Sequence, residues 1–272
     1  MGTKNRRLTR FLAKNPFCCY CGGDTPATTE DHWPPRTVFI KREWPQGYVF
    51  PACDSCQRAT SNVEGMFGLI CRLAPGDEHA NPVAQEELEK QVRGQMARHP
   101  ELMQALKLSN REKRTILRDY GAQPEPGQLL QDVPILTLRH PETRQLIETC
   151  FKKLLLSLHY MHTETVLPKH GVGYLQWFSN GQKISEEAFD GAIRGLRHRT
   201  ELKRAKVDLS AQFSYRYAVS NDKCTSAFIV AFGESLGALG FLCNDRSQIS
   251  ESTGRWKVEF RPFESARSTA PV

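Results

Sequence analysis

The sequence predicts an α+β chain in three parts, and three observations carry that reading. Two Cys-x-x-Cys pairs, Cys18/Cys21 and Cys53/Cys56, bracket a polar and aromatic insert near the start. Residues 141–162 place Ile147, Cys150, Phe151, Leu154, Leu155, Leu158 and Met161 on a 3.6-residue period, the signature of a helix with a buried face. Phe213, Tyr215, Tyr217 and Val219 alternate with polar residues, and a polar turn at 220–223 leads into an apolar return strand, which reads as an antiparallel hairpin. The expected layout is a metal-stapled module over 1–75, a helical segment and linker over 76–130, an α+β module with an antiparallel sheet over 131–262, and a mobile tail over 263–272.

Composition sets the outer limits. Of 272 residues, 39% are hydrophobic and 25% charged, which suits a folded core and excludes wholesale disorder. The formal charge of +7 favours polyanionic partners, nucleic acid above all. The longest apolar run, 227–232, falls far short of the roughly 20 residues that span a bilayer. Residues 1–14 are basic without an apolar stretch, so they do not read as a secretory signal. Four cysteines taken by a metal leave Cys19, Cys71, Cys150, Cys224 and Cys243, an odd and scattered set expected to be reduced. A cytoplasmic protein is expected.

Taken in order, 1–14 read as a flexible basic arm with Arg6, Arg7 and Arg10. Phe17-Cys18-Cys19-Tyr20-Cys21-Gly22-Gly23 has the form of a zinc knuckle, two thiolates followed by glycines that let the backbone turn. A strand over 25–32 ends at Trp33-Pro34-Pro35, because proline removes a ladder donor. The loop 36–47 interleaves Arg36, Lys41 and Arg42 with Phe39 and Trp44. A short strand over 48–50 leads into the second cysteine pair, and a helix follows over 57–69. Pro82 opens a helix to about His99, Pro100 a second, and the capping box Ser109-x-x-Glu112 a third. Strands are expected over 133–138, 173–178, 237–242 and 256–260, and a helix from Ser185 with Phe189, Ile193 and Leu196 inward. His159 and His162 lie near the end of the long helix alongside Glu164, and the two histidines read as partners of its dipole rather than metal ligands. Basic residues from Arg194 to Lys206 form a candidate nucleic-acid contact.

The insert between the cysteine pairs carries a resemblance. Cys-x-x-Cys, then Asp31-His32-x-Pro-Pro-Arg36, then Phe-Pro-Ala-Cys-x-x-Cys and a polar helix resemble the HNH endonuclease family in its four-cysteine zinc form, over about a fifth of the chain. The resemblance implies a ββα-metal fold with a structural zinc at Cys18, Cys21, Cys53 and Cys56. It implies His32 as general base, Asp31 as ligand of a catalytic Mg²⁺ or Mn²⁺, and double-stranded DNA as substrate, with RNA a second candidate. The sequence departs from the family pattern at two points. Gln57 stands where Asn or His usually follows the last cysteine, and Tyr48 where the middle Asn of the family name stands. The third ligand of the catalytic ion is one of Gln57, Asn62 and Glu64, with Gln57 first.

The chemistry follows from the residue types. A neutral imidazole takes a proton from water near neutral pH, a bound divalent ion polarises the phosphate, and an arginine fork clamps it. Arg36, Lys41, Arg42 and Arg58 are the candidate nucleic-acid contacts. The expected function is a metal-dependent endonuclease, set by analogy in phage defence or restriction and acting as a homodimer or with a partner protein. The alternative is a weak or inactive zinc module that binds nucleic acid or a protein.

Overall fold

The strand that follows the first cysteine pair forms an antiparallel hairpin with the strand that leads into the second pair. The computed structural model describes residues 3–73, 81–119, 121–124, 126–133, 135–180, 194–249 and 258–264. Strand β1 (Thr29–His32) pairs with β2 (Val49–Ala52), setting Asp31 opposite Phe50 and His32 opposite Val49. The N-terminus is a helix, α1 (Thr3–Lys14), where a flexible arm was expected. Leu8, Phe11 and Leu12 recur at helical spacing and are partly covered.

After β2 the chain forms α2 (Asp54–Ser61) and α3 (Glu64–Cys71) in place of one continuous helix. The break at Asn62-Val63 lets α3 lie against the 3₁₀ turn Arg36–Val38. Gly68 makes that approach feasible, since a Cβ there would come within 2.7 Å of the Thr37 carbonyl carbon. The middle helices are α4 (Pro82–Arg98), α5 (Pro100–Ala105) and α6 (Asn110–Asp119). The capping box forms: the Ser109 N–H donates to Glu112 Oε2 at 2.9 Å, and the Glu112 N–H donates to Ser109 Oγ at 3.3 Å. On α4, Leu88 and Val92 face the core, while Met96 is exposed.

The strand expected over 133–138 is absent among its described residues, which make only one bridge, Lys107 to Leu136. The reason is visible at Val133. Its carbonyl, together with that of Gln131, accepts from the buried Lys113 ammonium at 2.7 Å, which occupies a group that a ladder would need.

Helix α7 (Pro141–Thr163) runs through the middle of the molecule. The C-terminal sheet comprises β3 (Val172–Ser179), β4 (His198–Arg199), β7 (Ser214–Val219), β8 (Thr225–Phe232), β9 (Leu236–Cys243) and β10 (Val258–Phe260). A small hairpin, β5 (Lys203–Arg204) and β6 (Val207–Asp208), stands apart from it. The sheet is antiparallel in the order β10-β3-β9-β8-β7-β4, and β7–β8 is the predicted hairpin. The fold class is α+β, as the sequence predicts. The helix expected from Ser185 and the tail beyond 264 lie outside the described residues, apart from Leu196, which is buried.

Helix α7 buries more than one stripe. Leu155 fits over Gly240 of the sheet, where a Cβ would come within 2.2 Å of its side chain. On its other side Ser157 and Lys153 are fully buried, with Ser157 Oγ donating to Tyr20 OH at 3.2 Å. Phe67 of α3 meets Phe151 of α7 at 5.8 Å and Phe232 of β8 at 5.3 Å between ring centroids. One core therefore runs from Cys18 to Phe260, through the hairpin, α7 and the sheet. No helix among the described residues is long and apolar enough to cross a membrane.

Candidate metal centre and hairpin site

The sulfurs of Cys18, Cys21, Cys53 and Cys56 all lie within 4.8 Å of one another, and all four residues are buried. Local backbone chemistry explains the convergence. Gly22 and Gly23 adopt φ +79° and +78°, the left-handed region that reverses the chain after Cys21. The Cys18 N–H donates to the Thr25 carbonyl at 3.0 Å, and the Tyr20 N–H donates to Cys18 Sγ at 3.4 Å. Cys53 is the N-cap of α2 and Cys56 lies in its first turn. Hydrogen bonds from Cys18 and Cys56 hold the Cys21 thiol down to about 2, and the shared proton pushes Cys18 up to about 12. Four buried sulfurs at this mutual separation fit a soft tetrahedral cation such as zinc. Cys19 is a spectator, buried with its thiol pushed up by desolvation.

Asp31 faces the interior of the ββα unit. Its carboxylate is 2.8 Å from the Lys153 ammonium, and Lys153 is fully buried on α7. The same ammonium donates to Thr60 Oγ1 at 2.7 Å, and Thr60 donates to Glu64 Oε1 at 3.0 Å. Glu64 Oε1 lies 3.9 Å from Lys153, which also sits 4.6 Å over the Trp33 ring. Burial raises the Glu64 pKa, with Lys153 opposing it. Two carboxylates and a hydroxyl thus converge on one cation, and that cation belongs to the chain. A catalytic divalent ion does not fit at Asp31 as the donors stand, because Lys153 fills the position between Asp31 and Glu64.

His32 is the next residue on β1 and faces the other way, as strand neighbours must. Its ring meets Trp44 edge-on at 5.0 Å. The Arg36 guanidinium stacks on Trp44 at 3.6 Å from the centroid, and that of Arg204 at 4.1 Å. Burial and then the Arg36 charge lower the His32 pKa, so the imidazole is neutral at neutral pH. Asp31 and His32 therefore do not share one pocket: the carboxylate serves a buried ion pair and the imidazole a half-exposed basic cluster.

The remaining predicted residues spread out. Gln57 lies in α2, half-buried, with its N–H bonded to the Cys53 carbonyl. Asn62 is exposed at the C-cap of α2. No side-chain hydrogen bond joins either of them to Asp31 among the described residues; Glu64 is the member of that trio placed with it. Arg58, Lys41 and Arg42 are exposed. Tyr48 is buried and its hydroxyl donates to Tyr215 OH at 2.9 Å, so it ties the hairpin to the C-terminal sheet. His159 and His162 bond to Ser226 and Tyr215, and Glu164 pairs with Lys223, so no metal cluster forms there.

Sequence reasoning missed Lys153 and Thr60, and it placed Arg204 in the basic run 194–206 without linking it to Trp44. A weak signal for Lys153 existed, since it falls one turn after Cys150 and Thr149 within an otherwise apolar run. Thr60 carried none beyond a helix position. No family model, curated protein or solved structure matches this chain.

Proposed function

We propose that the chain is a zinc-stapled hydrolase of nucleic-acid phosphodiesters, with His32 as proton acceptor and Arg36 as phosphate contact. The observation that supports this best is the convergence of four sulfurs at the foot of the hairpin whose first strand ends in His32. A staple there holds the imidazole in place against Trp44 and beside Arg36. In the proposed step a water gives its proton to the neutral His32 ring and its oxygen adds to phosphorus. The bond from phosphorus to one sugar oxygen then breaks, and that oxygen leaves with a proton from the imidazolium. Arg36 offsets the negative charge that grows on the phosphate oxygens. No step is assigned to a divalent ion, given the Lys153 ammonium at Asp31.

Duplex DNA is the first substrate to test and RNA the second. A homodimer or a partner protein would bring a second site to the opposite strand, and cytoplasmic residence with a role in phage defence belongs to the same reading. Supercoiled plasmid incubated with zinc-loaded protein, with and without Mg²⁺ or Mn²⁺, should be nicked. His32→Ala should slow nicking by roughly 10²–10⁴-fold, the usual contribution of a general base. Equal nicking by wild type and variant would refute the assignment. The second reading is a binding module that does not cut, and the Asp31–Lys153 pair favours it. Shifted but intact plasmid with both proteins is its outcome.

A further inference from the structure

We propose that Arg36 and Arg204 form a clamp for the phosphates of a nucleic-acid backbone, assembled around Trp44 beside His32. The inference rests on the nucleic-acid reading for its ligand, though not for its chemistry.

Three observations carry it. First, the clamp is built from segments far apart in sequence. The N–H of Gln46 donates to the Lys203 carbonyl at 3.1 Å, and Arg204 Nη1 donates to the Trp44 carbonyl at 3.3 Å. These bonds moor the β5–β6 hairpin on the loop that carries Arg36 and Trp44. Second, two guanidiniums share the Trp44 indole, that of Arg36 at 3.6 Å and that of Arg204 at 4.1 Å from its centroid. With His32 also against the ring in a T-shaped contact at 5.0 Å, Trp44 is engaged by three side chains rather than left open for a base. It acts as a spacer that orients two forks, which suits phosphates rather than bases. Third, no ion pair among the described residues includes Arg36 or Arg204. Two neighbouring carboxylates are engaged elsewhere, Glu201 with Lys203 and Glu87 with the Lys41 N–H. Lys41 and Arg42, in the same loop, adopt φ 54° and 55°, a left-handed backbone that costs energy for side chains of this kind. Burial, then Arg204 and Arg42, lower the Arg36 pKa, as expected for cations gathered without a counter-charge.

The test is fluorescence anisotropy of a labelled oligonucleotide with the zinc-loaded full chain across a series of salt concentrations. Arg204→Ala and Arg36→Ala should each weaken binding about tenfold and lower the slope of log affinity against log salt by about one. Arg93→Ala, which removes an exposed α4 cation paired with Glu89, should change neither. Zinc content and far-UV circular dichroism report folding. Should Arg204→Ala fold poorly, Arg204→Lys keeps the charge and loses the fork, and it should bind severalfold more weakly with the wild-type salt slope. Losses no larger than those of Arg93→Ala, or wild-type affinity in Arg204→Lys, overturn the clamp. Displacement of the oligonucleotide by inorganic phosphate at micromolar concentration also overturns it, by showing a small-anion pocket. Nicking and binding separate the two proposals. Nicking that depends on His32 with binding insensitive to Arg204 removes the clamp alone, and binding that depends on Arg204 without nicking removes the hydrolysis alone.

Discussion

A lysine ammonium buried completely is costly unless its charge is answered, and Lys153 is answered by Asp31 at 2.8 Å and by Thr60 at 2.7 Å. The pair is therefore a dependency: each member stabilises the fold only while the other is present. Lys153→Met should lower unfolding free energy by about 3–5 kcal/mol, because it strands the Asp31 carboxylate. The Lys153→Met/Asp31→Asn double variant should recover much of that loss, and urea titration measures both. Additive losses in the double variant would argue against the pair. The same geometry bears on metal chemistry. Mn²⁺ followed by water-proton relaxation should bind wild type and Asp31→Asn alike, since Lys153 holds the place between Asp31 and Glu64. A stoichiometric Mn²⁺ present in wild type and lost in Asp31→Asn would restore Asp31 as a divalent-ion ligand.

At the scale of elements, the four-sulfur cluster connects three pieces too short to stand alone: a glycine-rich knuckle, a hairpin of four-residue strands, and the eight-residue α2. A two-stranded hairpin of this length is marginal in water, and a helix of two turns is less than marginal. A metal held by the four sulfurs would supply what they lack, and its affinity would then be coupled to the folding of this unit. Cys53→Ser should lose stoichiometric zinc and expose 17–71 to trypsin under native conditions. Wild-type zinc content and protease resistance in that variant would contradict the staple. The cysteine spacing made this element legible, since the chelating pairs are local in sequence. The break between α2 and α3 was not legible, because it answers to Thr37, which lies about thirty residues earlier in the chain and packs against Gly68.

For the whole molecule, α7 is the shared wall. It presents Leu155 to the sheet and Lys153 and Ser157 to the hairpin unit, so the two halves bury one continuous core. This arrangement leaves neutral histidines inside. Burial lowers His159 to about 4 and His162 to about 4, and lowers His32 as well. The sign follows from linkage. Between the ordinary histidine value near 6.5 and about 4, the unfolded chain binds protons that the folded chain does not. Stability should be level above about pH 6.5 from these groups and fall as pH drops toward 4. For the fully buried His159 the loss is on the order of 3 kcal/mol. Urea melts at pH 7 and pH 4.5 read the difference, and His159→Gln should flatten it. An unchanged slope in that variant would remove His159 from the account.

What the sequence determined by itself was everything governed by near neighbours: two cysteine pairs at ligand spacing, a capping box at Ser109, proline stops after His32, and the two periods that separate helix from strand. These features depend on residues within a turn or a strand of one another, so they can be read along the chain. The tertiary structure alone decided what Asp31 and His32 face. Adjacent positions on a strand point to opposite sides, and which side meets Lys153 and which meets the Trp44 ring that Arg204 covers depends on segments more than a hundred residues away. Long-range packing chose the partner of each side chain, and with it the difference between a buried ion pair and an open basic site.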